Sequence, residues 1–428
     1  MRFTLRSAKK LSGSLTLPGD KSISHRAVML GSLAEGTSSI KNFLHSDDTK
    51  VTSEVFRALG VNIIKEDKNT IVVEGKGLFS LSKPSAELSM GNSGTSMRIL
   101  MGVLAGQPFK TVLTAREGLA ARPMRRVTEP LSLMGAMIEG RDNANYAPIS
   151  IEGSGLKPID YVSAIASAQI KSAILFAGLY AKGLTSVTEP FKSRDHTERM
   201  MKAFGAEIKI DGLKVSVNGA PKLVAREIEV PGDISSAAFF MVGASIVKGS
   251  KITLKSVGLN PTRAGIIEIL KRMGARITIE NRKEFASEPV GDITIESGNL
   301  RGITVAGDLI PRSIDELPVI MIAAAYADGI TIIKGADELR VKETDRINSI
   351  SANLNEMGAK FGVKGSDIII EGAGSLNGIA ARSFGDHRTA MSMIVAGLAA
   401  KGETVIDDVD CINKSYPGFI KDLESLLK

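Results

Sequence analysis

Basic side chains recur directly before apolar, helix-like segments of this 428-residue chain. "KSISHR" (Lys21–Arg26) precedes "AVMLGSLA", and "FGDHR", which ends at Arg388, precedes another apolar run. Arg122 in "ARPMRR" and Lys414 in "CINKSYPGF" also come just ahead of helix-like segments. Backbone N–H groups at a helix start, together with Lys or Arg, bind anions. Since this arrangement recurs, we predict a site for anionic ligands.

Neutral polar residues recur in two further segments. Asn92 and Gly94 belong to "MGNSGTSMRI", a tight loop of small residues that would let a ligand approach backbone amides closely. Ser167 and Gln169 belong to "SAIASAQIKSA", which we interpret as lying inside an alanine-rich helix. Their side chains could hydrogen-bond a polyhydroxylated ligand. Arg194, in the charged helix start "SRDHTERM", could reach the same ligand.

Carboxylates lie among the cations. Asp315 and Glu316 stand immediately before a very apolar helix, where such residues are usually caps. A carboxylate at the edge of a domain could instead be a general base. In "RVKETDR", Lys342, Glu343 and Arg346 alternate in charge, a pattern that also fits a salt-bridged surface helix.

A repeated unit must position these residues. A small-residue helical run that ends near a glycine occurs six times, at Gly36, Gly106, Gly183, Gly249, Gly329 and Gly402. Each run is followed by a β-like stretch and a second, amphipathic helix, and we interpret each of the six glycines as a helix C-cap. Five of the second helices end on similar residues: "LGVNI", "MGAMI", "FGAEI", "MGARI" and "MGAKF". The sequence therefore predicts a mixed α/β protein of six units, each roughly 70 residues long.

The tripeptide "PGD" occurs at Pro18–Asp20 and again at Pro231–Asp233, about half a chain apart. A Pro-Gly pair suits a bend between domains. We predict two similar domains of three repeats each, 1–18 plus 232–428 and 19–231, with crossovers near 18–21 and 230–233. "KSISHR" follows only the first copy, so we interpret "PGD" as architecture and "KSISHR" as function.

Composition narrows the class of protein. The net charge is +7 with no basic run, which favours small anionic ligands over nucleic acid. A single cysteine, Cys411, excludes an intrachain disulfide, and the four scattered histidines argue against a metal site. No signal-like segment opens the chain, and its apolar runs are too short to span a bilayer. We expect a cytoplasmic monomer with no metal, no cofactor and no membrane or nucleic-acid partner.

Taken together, "PGDKSISHR", "GNSGT", "RPM", "SAQIKSA", "RVKETDR" and "DHRTAM" resemble the 5-enolpyruvylshikimate-3-phosphate synthase family, the 3-phosphoshikimate 1-carboxyvinyltransferases. The resemblance covers essentially the whole chain. It implies the enolpyruvyl transferase fold, an inside-out α/β barrel of two domains, each with three βαβαββ repeats, that close over the ligands. It implies transfer of the enolpyruvyl group of phosphoenolpyruvate to the 5-hydroxyl of shikimate 3-phosphate, in the pathway to chorismate and aromatic amino acids.

The resemblance also implies roles for individual residues. Contacts to shikimate 3-phosphate fall on Lys21, Ser22, Arg26, Ser167, Gln169, Arg194, Asp315 and Lys342. Contacts to phosphoenolpyruvate fall on Lys21, Asn92, Gly94, Arg122, Gln169, Arg346, Arg388 and Lys414. The residues implied to transfer protons are Asp315, Lys342 and Glu343, with Asp315 as the base that accepts the proton of the sugar hydroxyl. No cofactor or metal is implied.

Two positions depart from the family pattern, and two other functions remain open. Ala168 stands where some members have a second serine, and Glu338 where some have a ligand-binding asparagine. A glycine at position 94, in place of an alanine, resembles the glyphosate-sensitive branch of the family.

An enolpyruvyl transferase acting on UDP-N-acetylglucosamine is the nearest rival function. That enzyme usually carries Lys-Asn at the positions of Lys21-Ser22 and a cysteine in a catalytic loop. A non-enzymatic anion-binding scaffold would explain the repeats but not Asp315 and Glu343.

Overall fold

The structure, a computed structural model, describes residues 1–153 and 155–428. Contacts between Cα atoms divide the chain into two compact units. The inserted unit comprises Gly19–Val230 and Phe285–Glu288, and the terminal unit comprises Met1–Pro18, Pro231–Glu284 and Pro289–Lys428. Among the described residues, no helix is long and apolar enough to cross a membrane.

The chain begins in the terminal unit with strands β1 (Phe3–Arg6) and β2 (Ser12–Thr16). The inserted unit follows. Its helices are α1 (Lys21–Leu33), α2 (Asp47–Ala58), α3 (Gly94–Leu104), α4 (Glu117–Ala120), α5 (Arg125–Leu133), α6 (Arg141–Ala144), α7 (Ala168–Gly178) and α8 (His196–Ala203). Its strands are β3 (Glu35–Lys41), β4 (Asn62–Lys65), β5 (Ile71–Lys76), β6 (Leu88–Ser89), β7 (Lys110–Thr114), β8 (Met137–Gly140), β9 (Tyr146–Glu152), β10 (Asp160–Val162), β11 (Leu184–Thr188), β12 (Ile208–Asp211), β13 (Lys214–Asn218) and β14 (Glu227–Glu229).

The rest of the terminal unit repeats the alternation of helices and strands. Its helices are α9 (Ile234–Ile246), α10 (Gly265–Arg272), α11 (Leu309–Ser313), α12 (Leu317–Ala325), α13 (Arg346–Glu356), α14 (His387–Gly397) and α15 (Phe419–Leu426), with 3₁₀ turns at Asp337–Val341 and Asp410–Lys414. Its further strands are β15 (Lys251–Gly258), β16 (Arg276–Phe285), β17 (Glu288–Glu296), β18 (Thr304–Val305), β19 (Ile330–Ile333), β20 (Lys360–Lys364), β21 (Asp367–Glu371), β22 (Ala380–Ala381) and β23 (Glu403–Ile406).

The sheets share one topology. In each, the strand that follows a buried helix pairs in parallel with one neighbour and antiparallel with the other, as β3 does with β14 and β5. The four-stranded sheets run β14-β3-β5-β4, β6-β7-β9-β8, β10-β11-β13-β12, β16-β17-β15-β2 and β18-β19-β21-β20, and a three-stranded sheet runs β1-β23-β22. This repetition confirms the predicted mixed α/β class.

Each unit has three helices that are buried on nearly every face. In the terminal unit they are α9, α12 and α14, which pack against one another, and all nine residues of α12 are buried. In the inserted unit they are α1, α3 and α7, with α3 packed against both others. A helix that is apolar all round must be buried, and this is why the small-residue runs of the sequence form the core.

The core of each unit joins its distant chain segments. Strand β2 pairs in parallel with β15 in the terminal unit, with Ser12 opposite Lys251. Next to this pair, the Leu11 backbone N–H donates to Ser250 Oγ at 2.8 Å, across 239 residues of sequence. The terminal unit is therefore built from both ends of the chain.

Two details of the sequence interpretation were wrong. Helix α7 begins at Ala168 with Ser167 as its N-cap, so Ser167 precedes the helix instead of lying inside it. None of the six repeat glycines is a C-cap, because the buried helices end earlier, as α1 does at Leu33 with Ala34 as its C-cap. Gly36 lies within β3, and the other five glycines lie between the helix and the strand that follows it. The amphipathic helices end on glycines with positive φ at Gly60, Gly135, Gly205, Gly274 and Gly358.

Candidate active site

The predicted ligand residues gather at the N-terminal ends of the buried helices. Lys21 and Ser22 open α1, Gly94 opens α3, and Ser167 caps α7. In the terminal unit, Asp315 lies two residues before α12 and Arg388 is the second residue of α14. The partial positive charge of these helix ends favours anionic ligands. The repeat thus supplies equivalent positions, and the residues placed there differ.

Both "PGD" aspartates are N-caps. Asp20 Oδ1 accepts from the Ile23 amide at 3.0 Å, and Asp233 Oδ1 accepts from the Ser235 amide at 2.8 Å. Gly19 is needed before the first cap because a Cβ there would lie 1.9 Å from the Asn42 carbonyl oxygen. The tripeptide therefore starts a buried helix in each unit, while the residues after it are free to differ.

At the start of α1, Lys21 forms an ion pair with Asp48, with Nζ 3.0 Å from Oδ2. Arg26 is 2% exposed and donates from Nε to Thr197 Oγ1, from Nη1 to the Ser22 carbonyl and from Nη2 to Ser172 Oγ. Arg26 thus ties α1 to α7 and α8. Lys21 lies nearer the surface than Arg26, with its side chain 14% exposed.

At the start of α3, Gly94 lies against the guanidinium of Arg122. A Cβ built on Gly94 would be 2.9 Å from Arg122 Nη1 and 3.3 Å from Cζ. Asn92 belongs to the turn before α3, and its Oδ1 lies near Gly118. The structure therefore brings together Asn92, Gly94 and Arg122, three residues that the resemblance assigns to phosphoenolpyruvate.

Gln169 joins α7 to α3. Its Nε2 donates to Thr95 Oγ1 at 3.2 Å, and its Oε1 accepts from Arg98 Nη1 at 2.9 Å. Arg98 also donates to the Pro123 carbonyl at 3.1 Å. Because both ends of the Gln169 amide are held, its orientation is fixed beside Gly94.

Ser167 and Arg194 lie on segments that lead into α7 and α8. Ser167 Oγ accepts from the Ile170 amide, and the Ser167 amide donates to Glu189 Oε1 at 2.9 Å. Arg194 is half-buried and precedes Asp195, the residue at the N-cap position of α8. The inserted unit thus holds the serine, glutamine and arginine residues of the predicted shikimate 3-phosphate set.

A buried hydrogen-bond chain links α1, α2 and α3. His25 Nδ1 lies 2.6 Å from Thr52 Oγ1, which lies 2.8 Å from Ser96 Oγ, and Ser96 Oγ lies 2.7 Å from Ser93 Oγ. Burial, followed by the positive charges of Lys21 and Arg26, lowers the pKa of His25 well below its usual value. The imidazole is therefore neutral, and the chain connects the start of α1 to the N-cap of α3.

In the terminal unit, three carboxylates surround Arg346, the first residue of α13. Nε donates to Asp386 Oδ2 at 2.8 Å, Nη2 donates to Glu343 Oε2 at 2.5 Å, and Nη1 donates to Asp315 Oδ1 at 3.4 Å. Burial disfavours the charged guanidinium, but the three carboxylates outweigh it and raise the pKa of Arg346. One guanidinium therefore holds both Asp315 and Glu343, the predicted proton-transfer residues.

A second arginine fixes the backbone at Asp315. Arg388 Nη1 donates to the Asp315 carbonyl at 2.8 Å, and its Nη2 lies 3.7 Å from Asp315 Oδ2. Arg263 Nη1 lies 3.9 Å from the same carboxylate oxygen. Asp315 remains 17% exposed among these three guanidiniums, and Glu343 is 18% exposed, so both are more accessible than the buried Asp386 of the same network.

Lys342 and Lys414 approach the same region of the terminal unit. Lys414 Nζ lies 3.4 Å from Glu343 Oε1, so Glu343 is held between Lys414 and Arg346. Lys342 Nζ lies 3.8 Å from Glu338 Oε2, and its side chain is 22% exposed. All six predicted residues of this unit, Asp315, Lys342, Glu343, Arg346, Arg388 and Lys414, belong to this one region or adjoin it.

Several residues of these networks escaped the sequence interpretation. Asp386 stands beside Arg388 in the sequence and Arg98 lies in "MGNSGTSMRI", but no local pattern indicates a role for either. Arg263 and Glu189 likewise carry no local signal of their roles. Their partners are distant in sequence, as with Asp386 and Arg346 at a separation of 40 residues.

The described residues contain no group of three or more His, Cys, Asp or Glu side chains that could hold a metal ion. Cys411 is partly buried; its burial, together with nearby Asp408, Asp386 and Asp407, raises the pKa of its thiol to about 12. The arrangement is therefore one of cations, helix N-termini and carboxylates, suited to binding anions and moving protons.

Comparison with known proteins matches the chain to one family. The family model for EPSP synthase (3-phosphoshikimate 1-carboxyvinyltransferase) matches residues 5–423. A 3-phosphoshikimate 1-carboxyvinyltransferase of Desulforamulus reducens is 51% identical over 427 residues, 100% of each chain. One from Bacillus thuringiensis subsp. konkukian is 50% identical over 98% of this chain and 97% of its own. A solved EPSP synthase structure from Acinetobacter baumannii covers 100% of this chain and 98% of its own, with 46% identity and a TM-score of 0.89.

Proposed function

The chain belongs to the EPSP synthase family, and from that premise we propose that it transfers the enolpyruvyl group of phosphoenolpyruvate to shikimate 3-phosphate. The proposed acceptor is the 5-hydroxyl, and inorganic phosphate is released. The product belongs to the pathway to chorismate and aromatic amino acids. The observation that carries this proposal is the match over nearly the full chain, supported by one guanidinium holding two carboxylates in the terminal unit.

We assign substrate contacts by unit. In the inserted unit, Lys21, Ser22, Ser167, Gln169 and Arg194 bind shikimate 3-phosphate. Arg26, whose three nitrogens all donate to protein groups, supports this set by fixing α1 against α7 and α8. Asn92, Gly94 and Arg122 bind phosphoenolpyruvate, with Lys21 and Gln169 contributing to both substrates. Both substrates are multiply anionic, so bringing them together requires cations that offset their repulsion.

In the terminal unit, we assign Arg346, Arg388 and Lys414 to phosphoenolpyruvate, and Asp315 and Lys342 to shikimate 3-phosphate. Arginine binds a carboxylate or phosphate through two parallel N–H donors, which fixes orientation as well as charge. The ion pairs of these cations with Asp315, Glu316 and Glu343 hold them in place. A substrate anion would be an additional partner for each cation.

The chemistry is addition followed by elimination. Asp315 accepts the proton of the 5-hydroxyl as its oxygen bonds to C2 of phosphoenolpyruvate, and C3 takes up a proton to become a methyl group. The tetrahedral intermediate then loses phosphate from C2 while a methyl proton is removed, restoring the double bond. We assign the C3 proton steps to Lys342 and Glu343. The bond between C2 and the bridging oxygen breaks, this oxygen leaves with the phosphate, and the proton taken up by Asp315 passes to the released phosphate or to solvent. No atom changes oxidation state over the whole reaction, so no redox step is required.

Phosphate release tests the proposal directly. With phosphoenolpyruvate present, shikimate 3-phosphate should support release and UDP-N-acetylglucosamine should not. Release only with the nucleotide sugar would identify the rival transferase, and release with neither would favour a binding scaffold. Glyphosate should inhibit competitively against phosphoenolpyruvate if Gly94 has the role assigned to it.

Replacing the proposed base tests the mechanism. Asp315→Ala should abolish phosphate release while both substrates still bind, because shikimate 3-phosphate loses only one of its contacts and the cations that hold both substrates remain. Asp308→Ala is a matched control, because that aspartate belongs to the same unit and its side chain is 70% exposed. A near-normal rate in Asp315→Ala would remove this residue from the mechanism.

A further inference from the structure

A buried ionic cluster in the inserted unit plays no part in the proposed chemistry. We call Lys171, Glu189 and Glu198 the Glu189 cluster. Lys171 belongs to α7, Glu189 directly follows β11, and Glu198 belongs to α8. Lys171 Nζ lies 2.8 Å from Glu189 Oε2 and 2.8 Å from Glu198 Oε1, and each of the three side chains is 1–2% exposed.

Stability alone does not account for such a cluster. Removing charges from water costs several kcal/mol per ion, and well-packed apolar residues often replace a buried ion pair without loss. Burial raises the pKa of Glu198, whereas the two carboxylates outweigh burial and raise the pKa of Lys171. The Lys171 ammonium is therefore maintained beside Glu189.

The Glu189 carboxylate contacts two chain segments through their backbones. Its Oε1 accepts from the Ser167 amide at 2.9 Å, and its Oε2 accepts from the Ser193 amide at 3.3 Å. Lys171 Nζ adds a bond to the Ser193 carbonyl at 3.3 Å. One segment ends at the N-cap of α7, and the other continues into Arg194. Glu189 thus holds two segments that are separate in sequence.

We propose that Glu189 is a positioning residue for shikimate 3-phosphate, setting the separation between the Ser167–Gln169 segment and the Ser193–Arg194 segment. Each carboxylate oxygen of Glu189 accepts a hydrogen bond from the backbone of one segment, so a single rigid group holds both segments. Ser167, Gln169 and Arg194 then meet one ligand in a fixed arrangement. This inference rests on the proposed function, because it takes the ligand from it.

The substitution Glu189→Gln keeps the shape of the side chain but leaves one acceptor oxygen instead of two. One of the two backbone amides therefore loses its partner and its segment is released. We expect the KM for shikimate 3-phosphate to rise about tenfold, as for the loss of one charge-assisted hydrogen bond. The kcat and the KM for phosphoenolpyruvate should change less than about twofold, since Asn92, Gly94 and Arg122 lie on other segments. Gln169, which contributes to both substrates, is also held by Thr95 and Arg98.

Glu198→Gln is the matched control. It makes the same substitution in the same cluster, facing the same lysine, and leaves both of the Glu189 bonds to the backbone in place. Its KM for shikimate 3-phosphate should stay at the wild-type value. If Glu189→Gln is poorly folded because Lys171 loses one of its two carboxylate partners, the double variant Lys171→Met/Glu189→Gln removes the ammonium as well and should show the same selective rise.

The outcomes separate this inference from the function on which it rests. A wild-type enzyme that releases no phosphate with shikimate 3-phosphate would overturn the proposed function. An active wild type with an unchanged KM for shikimate 3-phosphate in Glu189→Gln would overturn the positioning role alone. Equal losses in both KM values and kcat, or equal effects in Glu198→Gln, would show that the cluster is only structural and would also overturn it.

Discussion

Gly94 and Arg122 offer a sharp test of the phosphoenolpyruvate assignment. Gly94 is the first residue of α3 and its φ is not positive, so alanine fits the backbone. Alanine is also the better helix former, by about 1 kcal/mol. The substitution Gly94→Ala should therefore leave the fold intact. We expect the added methyl group to displace the neighbouring guanidinium of Arg122.

The size of that effect follows from one distance. The added Cβ would lie 2.9 Å from Arg122 Nη1, whereas non-bonded heavy atoms prefer about 3.5 Å or more. The guanidinium must withdraw by about 0.6 Å, which stretches a charge-assisted bond beyond its usual range of about 2.7–2.9 Å. Losing about half of a bond worth ~1.5–3 kcal/mol corresponds to a KM for phosphoenolpyruvate that is roughly 3-fold to 12-fold higher.

Steady-state phosphate release, with each substrate varied in turn, measures this effect. The KM for shikimate 3-phosphate and the thermal midpoint should stay near the wild-type values. Gly118→Ala is the control, because its Cβ would meet only Asn92 Oδ1, at an ordinary 3.7 Å. The reasoning fails if the KM for phosphoenolpyruvate in Gly94→Ala stays within about twofold of wild type, or if Gly118→Ala raises it equally.

Three further substitutions or treatments address other parts of the protein. Asp386→Asn should lower the free energy of unfolding by about 1.5–3 kcal/mol in urea titration, since it removes one of the three carboxylates that pair with buried Arg346; a change below about 1 kcal/mol would contradict this. The depressed pKa of His25 means that the unfolded chain binds a proton that the folded chain does not, so stability should fall by up to about 1.4 kcal/mol per pH unit below about pH 6.5; the variant His25→Gln should lack this slope. Because the pKa of its thiol is raised to about 12, Cys411 should react with a thiol reagent at pH 8 at least about 100-fold more slowly than in the unfolded chain. Rapid inactivation of the native enzyme by such a reagent would instead favour the rival transferase function.

Local patterns were sufficient to predict the repeat and the residues at the helix starts. The strand that follows each buried helix was visible as a short alternating stretch, and all six of these strands are present, including β3, β11 and β19. The A. baumannii similarity confirms the two-domain enolpyruvyl transferase fold. These features succeed because periodicity and turn chemistry depend on neighbouring residues.

The carboxylate environment of Arg346 could not be predicted in the same way. Asp315, Glu343 and Asp386 converge on this side chain from three segments, and only Glu343 is close to it in sequence. Lys171 shows the same limit, because it stands in an alanine-rich run and its partners follow only after a strand and a turn. Pairing at long range depends on the packed fold, and one sequence carries no local sign of it. The residue roles proposed above therefore remain predictions.

The pairing of β2 with β15 determines when the terminal unit can fold during synthesis. Residues 12–16 leave the ribosome early, but their partner strand is completed only after more than 200 further residues. At about 5–20 residues per second, this interval is roughly 10–50 s. All of the inserted unit except Phe285–Glu288 is synthesised within this interval, and its last strand, β14, pairs with its first, β3. We therefore expect the inserted unit to fold first, while the N-terminal strands remain unpaired. A pulse of protease during translation should cut these strands and spare the inserted unit.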